Sequence, residues 1–509
     1  MSTLASPRLS SMMFAVMGTA AAAGLAIIGA LSGSAEWLML WWLALAVLCA
    51  FAYWAVRGDL LSAVLLWFAT VICLHEEFWR QPDVFLFALT VPRVLIVVLC
   101  ALFVVMLALG RFRLRVGRPV GAAIVALAAY FTVSAIAGGF ETRSPVSIHY
   151  RLIGGYLFPF AVFWLTLHGL RTARDFRRIS VFFAAVAVYL TWTGWCEQFR
   201  LFGLVWPGFI GDPSVGLHWG RVRGPFVSSP AMGLALVFCF FNNLVLARQS
   251  SLGRRWLLIS LDVLMLPVIF WTRTRSVWLA MILALVIWVV YARRRITRVV
   301  TVSVLAALVL SVAVVNMQNF LSERRAKGGL TDIGPILLRI GLARVTAEMV
   351  RDHPLTGLGF GHFRDAAPHY GRDPSSPYLA YTSAAMEHNN LLSIVAETGV
   401  IGLALYVLVF IILLRLSIRL FHRLPAGAPG PINRDLIVLY WILFAAFFVD
   451  GMFRETSNSP FANSLMFGLS AMIVALQALV SPAPLPSIRG RRPRHHGPTS
   501  TLAAPRDTA

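Results

Sequence analysis

Four segments of the chain hold residue types suited to chemistry on an anionic group. They are GRVRGPFVSSP at 220–230, WTRTRSVWLA at 271–280, RIGLARVTAEMVRDHPLTGLGFGHF at 339–363 and MEHNNLLSIVAETGVIGLALY at 386–406. Three of them carry arginines: Arg221 with Arg223, Arg273 with Arg275, and Arg339. The planar guanidinium fork donates two parallel charge-assisted bonds, which suits phosphate. Several such forks together suit an anionic lipid head, and a pyrophosphate in particular. Each arginine taken alone has a plainer reading as an anchor to lipid headgroups. As a set they run against the positive-inside trend, which weakens that reading.

The fourth segment carries His388, at the entrance of a helix that Asn389 or Asn390 can cap. A helix N-terminus disfavours the imidazolium. A neutral imidazole there can accept a proton from a hydroxyl. The alternative is an interfacial histidine bonded to a backbone carbonyl. Glu387 is adjacent, but neighbouring residues on a helix do not share a face, so it is a weak partner for His388. Gly399 and Gly402 suit close helix packing. The glycines at 357, 359 and 361 follow no strand, so they read as a tight turn and not as a dinucleotide loop. His353, His362 and His369 lie in the same region without an HExxH pattern or a carboxylate cluster, so no metal site is expected. Asp262 lies inside an apolar run, where it either pairs with an arginine or serves function.

The elements that must bring these segments together are set by composition. Of 509 residues 59% are hydrophobic and 13% charged, with mean hydropathy +0.76. A soluble domain would carry far more charge. A spanning helix needs about 20 mostly apolar residues. Such runs occur at 12–31, 36–56, 60–74, 92–109, 119–138, 152–169, 179–200, 227–247, 256–272, 276–292, 299–317, 390–414, 433–450 and 461–480. The expected fold is all-α, a polytopic transmembrane bundle of about 12–14 spans. Residues 1–317 hold eleven spans with short loops, 318–388 a large loop, 389–480 the C-terminal spans and 481–509 a basic, disordered tail.

Arginine placement orients the bundle. RFRLRVGR (111–118), RTARDFRR (171–178), RQSSLGRR (248–255), RRRITR (293–298) and RLSIRLFHR (415–423) all fall on one side of these spans. By the positive-inside rule that side is cytoplasmic, together with the N-terminus and the tail bearing His495 and His496. The net charge of +22 is therefore read as membrane anchoring, not nucleic-acid binding. Cys49, Cys73, Cys100, Cys196 and Cys239 all lie in apolar runs and read as small buried hydrophobes. The apolar run from Met12 reads as a retained first span. The four chemical segments then share the outward face. Within the large loop, Ile336, Ile340, Ala343, Ala347 and Val350 recur at helical spacing, so 335–352 is expected to form an amphipathic helix lying on the membrane surface.

At these residues the sequence resembles the O-antigen ligase and Wzy-type O-antigen and exopolysaccharide polymerase superfamily. The resemblance covers about 220–410 and rests on four ordered pieces: the RxxGxF piece from Arg221 to Phe226, the TRTRS corner, HPLTGLGFGHF at 353–363, and HNxxL…ETGxxGL at 388–403. The corner departs from the usual Ser-Arg in having Thr274 before Arg275. The resemblance implies a GT-C-like, metal-independent glycosyltransferase of the bacterial inner membrane, with its active site facing the periplasm and no cofactor. Its donor would be a glycan on undecaprenyl pyrophosphate and its acceptor a sugar hydroxyl of a glycan or lipid-linked glycan. By the same carry-over, Arg221 and Arg275 hold the donor pyrophosphate, His388 is the base or orients the acceptor, and Arg339 adds to the phosphate site. Arg223 and Arg273 compete locally for the two main arginine roles. Ligase, polymerase and protein O-oligosaccharyltransferase share these pieces. A lipid-linked glycan flippase would instead place charges at mid-membrane in broken helices.

Overall fold

The computed structural model describes residues 59–74, 90–142, 144, 146–216, 218–291, 334–371, 389–425, 430–458 and 460–480. The regular elements among them are all helical. In chain order they are α1 Leu60–Cys73, α2 Val91–Ala108, α3 Val120–Gly138, α4 Tyr150–Gly169, α5 Ala173–Gln198, α6 Ser229–Arg248 and α7 Leu252–Trp271. Then follow α8 Arg275–Tyr291, α9 Gly334–Asp352, α10 Phe363–Tyr370, α11 Asn390–Arg423, α12 Arg434–Gly451 and α13 Pro460–Val480. Of these, α2, α3, α4, α5, α6, α11 and α13 are long and apolar enough to cross a membrane, and α1 and α8 are shorter apolar helices. The chain is an all-helical, multi-pass membrane protein. The expected spans at 12–31, 36–56 and 299–317 lie outside the described residues, as do the tail and residues 318–333 and 372–388 of the large loop.

The bundle is built around α6, which is apolar on every side and almost wholly covered by α5, α7 and α12. A helix that is hydrophobic all round belongs in the interior. Its two asparagines are paired: Asn242 Nδ2 donates to the Ser180 carbonyl at 2.9 Å, and Asn243 Nδ2 to Asp262 Oδ1 at 2.9 Å. Of the two readings of Asp262, an arginine partner or a functional role, the first is not what packs here: an asparagine one helix away reaches it. On the other side α4 packs along α13, with Phe160 edge-on to Phe467 at 4.8 Å between ring centres.

Arginines of three basic segments are tied to neighbouring elements. The Arg115 amide donates to His168 Nε2 at 2.8 Å, and Arg248 bonds Asp435 at 3.0 Å. Arg178 holds Asp59 at 2.8 Å, and Asp59 in turn caps α1 through the Ser62 amide.

The expected amphipathic helix forms as α9, but it buries a different face. Leu342, Val345 and Met349 are covered, packing with Phe363, Ala367 and Ala396. Ile340 is 43% exposed, and Ala343 and Ala347 are exposed too. Two apolar stripes interleave on this helix. The one with the longer side chains docks on α10 and α11, so α9 is part of the protein's own packing.

The large glycine-rich turn and the ETG piece form one unit. Helix α11 is broken at Gly399, where φ is 65° and ψ is −171°. The break leaves carbonyls without helical partners, and such groups must be satisfied. The turn supplies the donors: Leu358 N donates to Ala396 O at 3.0 Å and Gly359 N to Glu397 O at 2.9 Å. In return Val400 N donates to Pro354 O at 2.9 Å. A Cβ on Gly399 would stand 2.1 Å from the Leu355 carbonyl oxygen, and one on Gly357 would stand 2.4 Å from the Glu397 carbonyl carbon. Gly402 does the packing expected of it, because a Cβ there would press on Tyr130 of α3 at 3.1 Å.

Candidate active site

The arginine segments converge. Val222 N donates to the Trp271 carbonyl at 3.2 Å, which ties the 220–226 loop to the end of α7. Only residues 272–274 separate α7 from α8, and the chain reverses through Arg273 at φ 48°. Thr272 Oγ1 donates to Ile269 O at 2.7 Å and Thr274 Oγ1 to Thr272 O at 2.9 Å, which closes the corner. The Thr274 carbonyl accepts from Val277 N at 3.1 Å, starting α8. The threonine that departs from Ser-Arg is thus a buried turn residue whose hydroxyl a serine would also supply.

Arg221 is half-buried, and Arg273 and Arg275 are exposed beside it. Burial, and then the charges of Arg273 and Arg275, lower the pKa of Arg221. Arg339 on α9 is close enough to Arg275 that burial and then this charge lower its pKa as well. Among the described residues no carboxylate pairs with Arg221, Arg273 or Arg339. The Arg339 guanidinium lies over the Phe453 ring at 4.7 Å. It also borders a cavity of about 220 Å³ with Thr346, Phe363, Asn389, Ser393 and Met452. Asn389 caps α11, accepting from Leu391 N at 2.9 Å and Leu392 N at 3.1 Å. His388, expected one residue earlier, lies outside the described residues.

Arg223 is placed differently from the other candidates. Its side chain is 0% exposed. Its guanidinium donates to the carbonyls of Val215, Ile210 (3.1 Å) and Asp212 (2.6 Å), and it lies over the Trp219 ring at 4.5 Å. The Glu197 carboxylate accepts from the backbone amides of Arg223 and Gly224, both at 2.9 Å. Arg223 therefore spends its donors on closing its own loop, which leaves Arg221 as the arginine of that pair facing the cluster.

The least foreseen feature lies behind the cavity. Arg151, in the π-helical first turns of α4, bonds Glu397 through both forks, Nη1 to Oε1 at 2.9 Å and Nη2 to Oε2 at 3.0 Å. It also bonds Glu455, and its Nε donates to Ser457 Oγ at 3.2 Å. All three charged side chains are buried. Ser393, which lines the cavity, donates to Glu455 at 3.2 Å. Asn390 completes the lock, its Oδ1 accepting from Thr456 Oγ1 at 2.9 Å and its Nδ2 donating to Tyr406 at 3.0 Å. This network fixes the start of α11 against α4 and the turn before α13. Part of the signal was present in the sequence, since Glu397 is a charged residue inside the apolar run at 390–414 and Arg151 stands one residue before the run at 152–169. In the glycine turn, His362 Nε2 lies 3.2 Å from the Gly139 carbonyl oxygen and its Nδ1 lies 3.4 Å from Asp365 Oδ2.

With this geometry in hand, residues 260–407 match the family model Wzy_C, O-antigen ligase. Over that stretch the chain is similar to the O-antigen ligase family. No curated protein matches the chain. The matched stretch takes in the TRTRS corner, Arg339, the glycine turn and the broken helix at Gly399. Arg221 and Arg151 lie before the matched residues, yet the Arg221 loop is tied to the corner through Val222 and Arg151 is bonded to Glu397.

Proposed function

We propose that this protein is a glycosyltransferase that takes a glycan from an undecaprenyl-pyrophosphate carrier and transfers it to a sugar hydroxyl at the periplasmic face of the bacterial inner membrane. The observation that carries this reading is the convergence of Arg221, Arg273, Arg275 and Arg339 from three separate segments. Like charges held together raise the free energy of the site. An anion of two or more charges offsets that repulsion, and a pyrophosphate diester supplies it. The same guanidinium groups stabilise the charge that grows on the leaving pyrophosphate as the glycosidic bond breaks. Arginines in this role stand in for a metal ion, and pyrophosphate is already a good leaving group. One proton must leave the attacking hydroxyl, and His388 is the proposed base.

Ligase and polymerase differ only in the acceptor. The glycan phenotype of a deletion strain separates them: long carrier-linked chains that never reach their final acceptor indicate a lost ligase, and single unpolymerised repeats indicate a lost polymerase. A strain with unchanged envelope glycans would set both aside. Accumulation of the carrier-linked glycan on the cytoplasmic side would favour a flippase.

A further inference from the structure

We propose that residues 199–210 form a wedge inserted among the lipid chains of the outward leaflet, so that the loop leading to Arg221 is anchored in the bilayer. Helix α5 shows where the lipid lies. Val181, Val188 and Trp192 recur on one face of it, and all three are at least half exposed. On a membrane-spanning helix an uncovered apolar face is a lipid-facing face.

After Gln198 the chain does not leave this face but folds back down along it. Trp192 Nε1 donates to the Leu204 carbonyl at 3.1 Å, and Tyr189 Oη donates to the Trp206 carbonyl at 2.8 Å. Trp192 and Tyr189 precede the helix end by six and nine residues, so at 1.5 Å per residue the loop descends about 9–14 Å. Leu201, Leu204 and Trp206 meanwhile point away from the protein, 50–59% exposed, while Phe199 stacks on Trp195 at the helix end. Beneath them Val205 and Ile210 pack on Cys196.

Two independent features therefore agree. The loop's outer surface is apolar and aromatic, as in segments that sit at the boundary of headgroups and chains. Two of its carbonyls, which water would satisfy in an aqueous loop, are satisfied by aromatic donors from the helix. Irregular backbone tolerates a lipid environment only when its polar groups are paired in this way. The polar end of the loop follows: Asp212 accepts from Ser214, and the segment then reaches His218 and Arg221. The wedge would hold these residues at headgroup depth. This inference does not depend on the transfer reaction.

The test uses the full chain in nanodiscs, with its five cysteines replaced by alanine and an environment-sensitive fluorophore at Leu204→Cys or Ser214→Cys. Acyl-chain-brominated lipid is expected to take away most of the emission at 204 and little at 214, with aqueous iodide doing the reverse. Equal iodide quenching at both positions would overturn the proposal. So would protection of position 204 from iodide by a soluble oligosaccharide, which would make the loop a sugar platform. In the chain with native cysteines, Trp206→Phe should remove emission that brominated lipid quenches. Loss of an iodide-quenched share instead would overturn the proposal independently.

Discussion

The Val222 amide and the Trp271 carbonyl are joined at 3.2 Å, and that backbone bond sets Arg221 beside Arg273 and Arg275. Neither side chain takes part, so the join is invisible to any reading of residue chemistry. Gly194 makes it possible, because a Cβ there would stand 2.2 Å from Val268 and 3.3 Å from Val222. Close approach of α5 to α7 therefore precedes the convergence of charge.

One consequence is a pH dependence centred on His218. Its ring reaches solvent, yet desolvation and then the charges of Arg221, Arg454 and Arg223 lower its pKa from 6.5. The free site therefore keeps it neutral at neutral pH. A bound anion relieves the repulsion and raises that pKa, so binding takes up a proton. By linkage, affinity for a pyrophosphate lipid should rise as pH falls through the bound-state pKa and level off below the free-state pKa. Binding measured between about pH 7.5 and pH 5 should show this rise in the parent chain and a flattened profile in His218→Gln. An unchanged slope in the variant would assign the effect elsewhere.

Gly399→Ala should lower thermal stability and transfer together. Its φ of 65° and ψ of −171° fall in a region essentially confined to glycine, so an L-residue there costs about 1–3 kcal/mol before any clash. The added methyl would also meet the Leu355 carbonyl at 2.1 Å, and backbone cannot swing aside. Gly203→Ala, with nothing within 4 Å of its Cβ, is the control and should melt like the parent.

Arg151→Ala should be severely destabilising, by about 3–5 kcal/mol, because it leaves Glu397 and Glu455 buried without their cation. Arg151→Lys restores charge but not the two-pronged bond, so it should recover only part of the loss. Thermal unfolding in nanodiscs measures both. Parent-like melting of Arg151→Ala would mean the triad carries little of the fold's stability.

The sequence made the helices legible because the bilayer imposes one rule, an apolar run of sufficient length. All eleven spans that fall on described residues coincide with helices, from α1 to α13. The arginine cluster was legible for a similar reason, since charge at a membrane surface stands out. Three things were not. The buried face of α9 could not be chosen from spacing, because two apolar stripes interleave and only the shape of α10 and α11 decides between them. Arg223 looked equivalent to Arg221 two residues away, and only the loop carbonyls that enclose it tell them apart. The Arg151–Glu397–Glu455 network joins three segments far apart in sequence, and no local pattern announces that pairing.

Chelation tests the proposed metal-free chemistry. Transfer by the purified protein should be unaffected by EDTA. Loss of activity that a divalent ion restores would place a metal in the reaction.

The most direct test of the arginine site is transfer from a pyrophosphate-linked glycan donor by purified Arg221→Ala, Arg275→Ala and His388→Ala proteins, each inserted and as abundant as the parent. Each arginine variant should lose about 10²–10³-fold in rate, the scale seen when one preorganised donor to a developing charge is removed, and His388→Ala should abolish transfer. Wild-type rates in all three would contradict the assignment of this site.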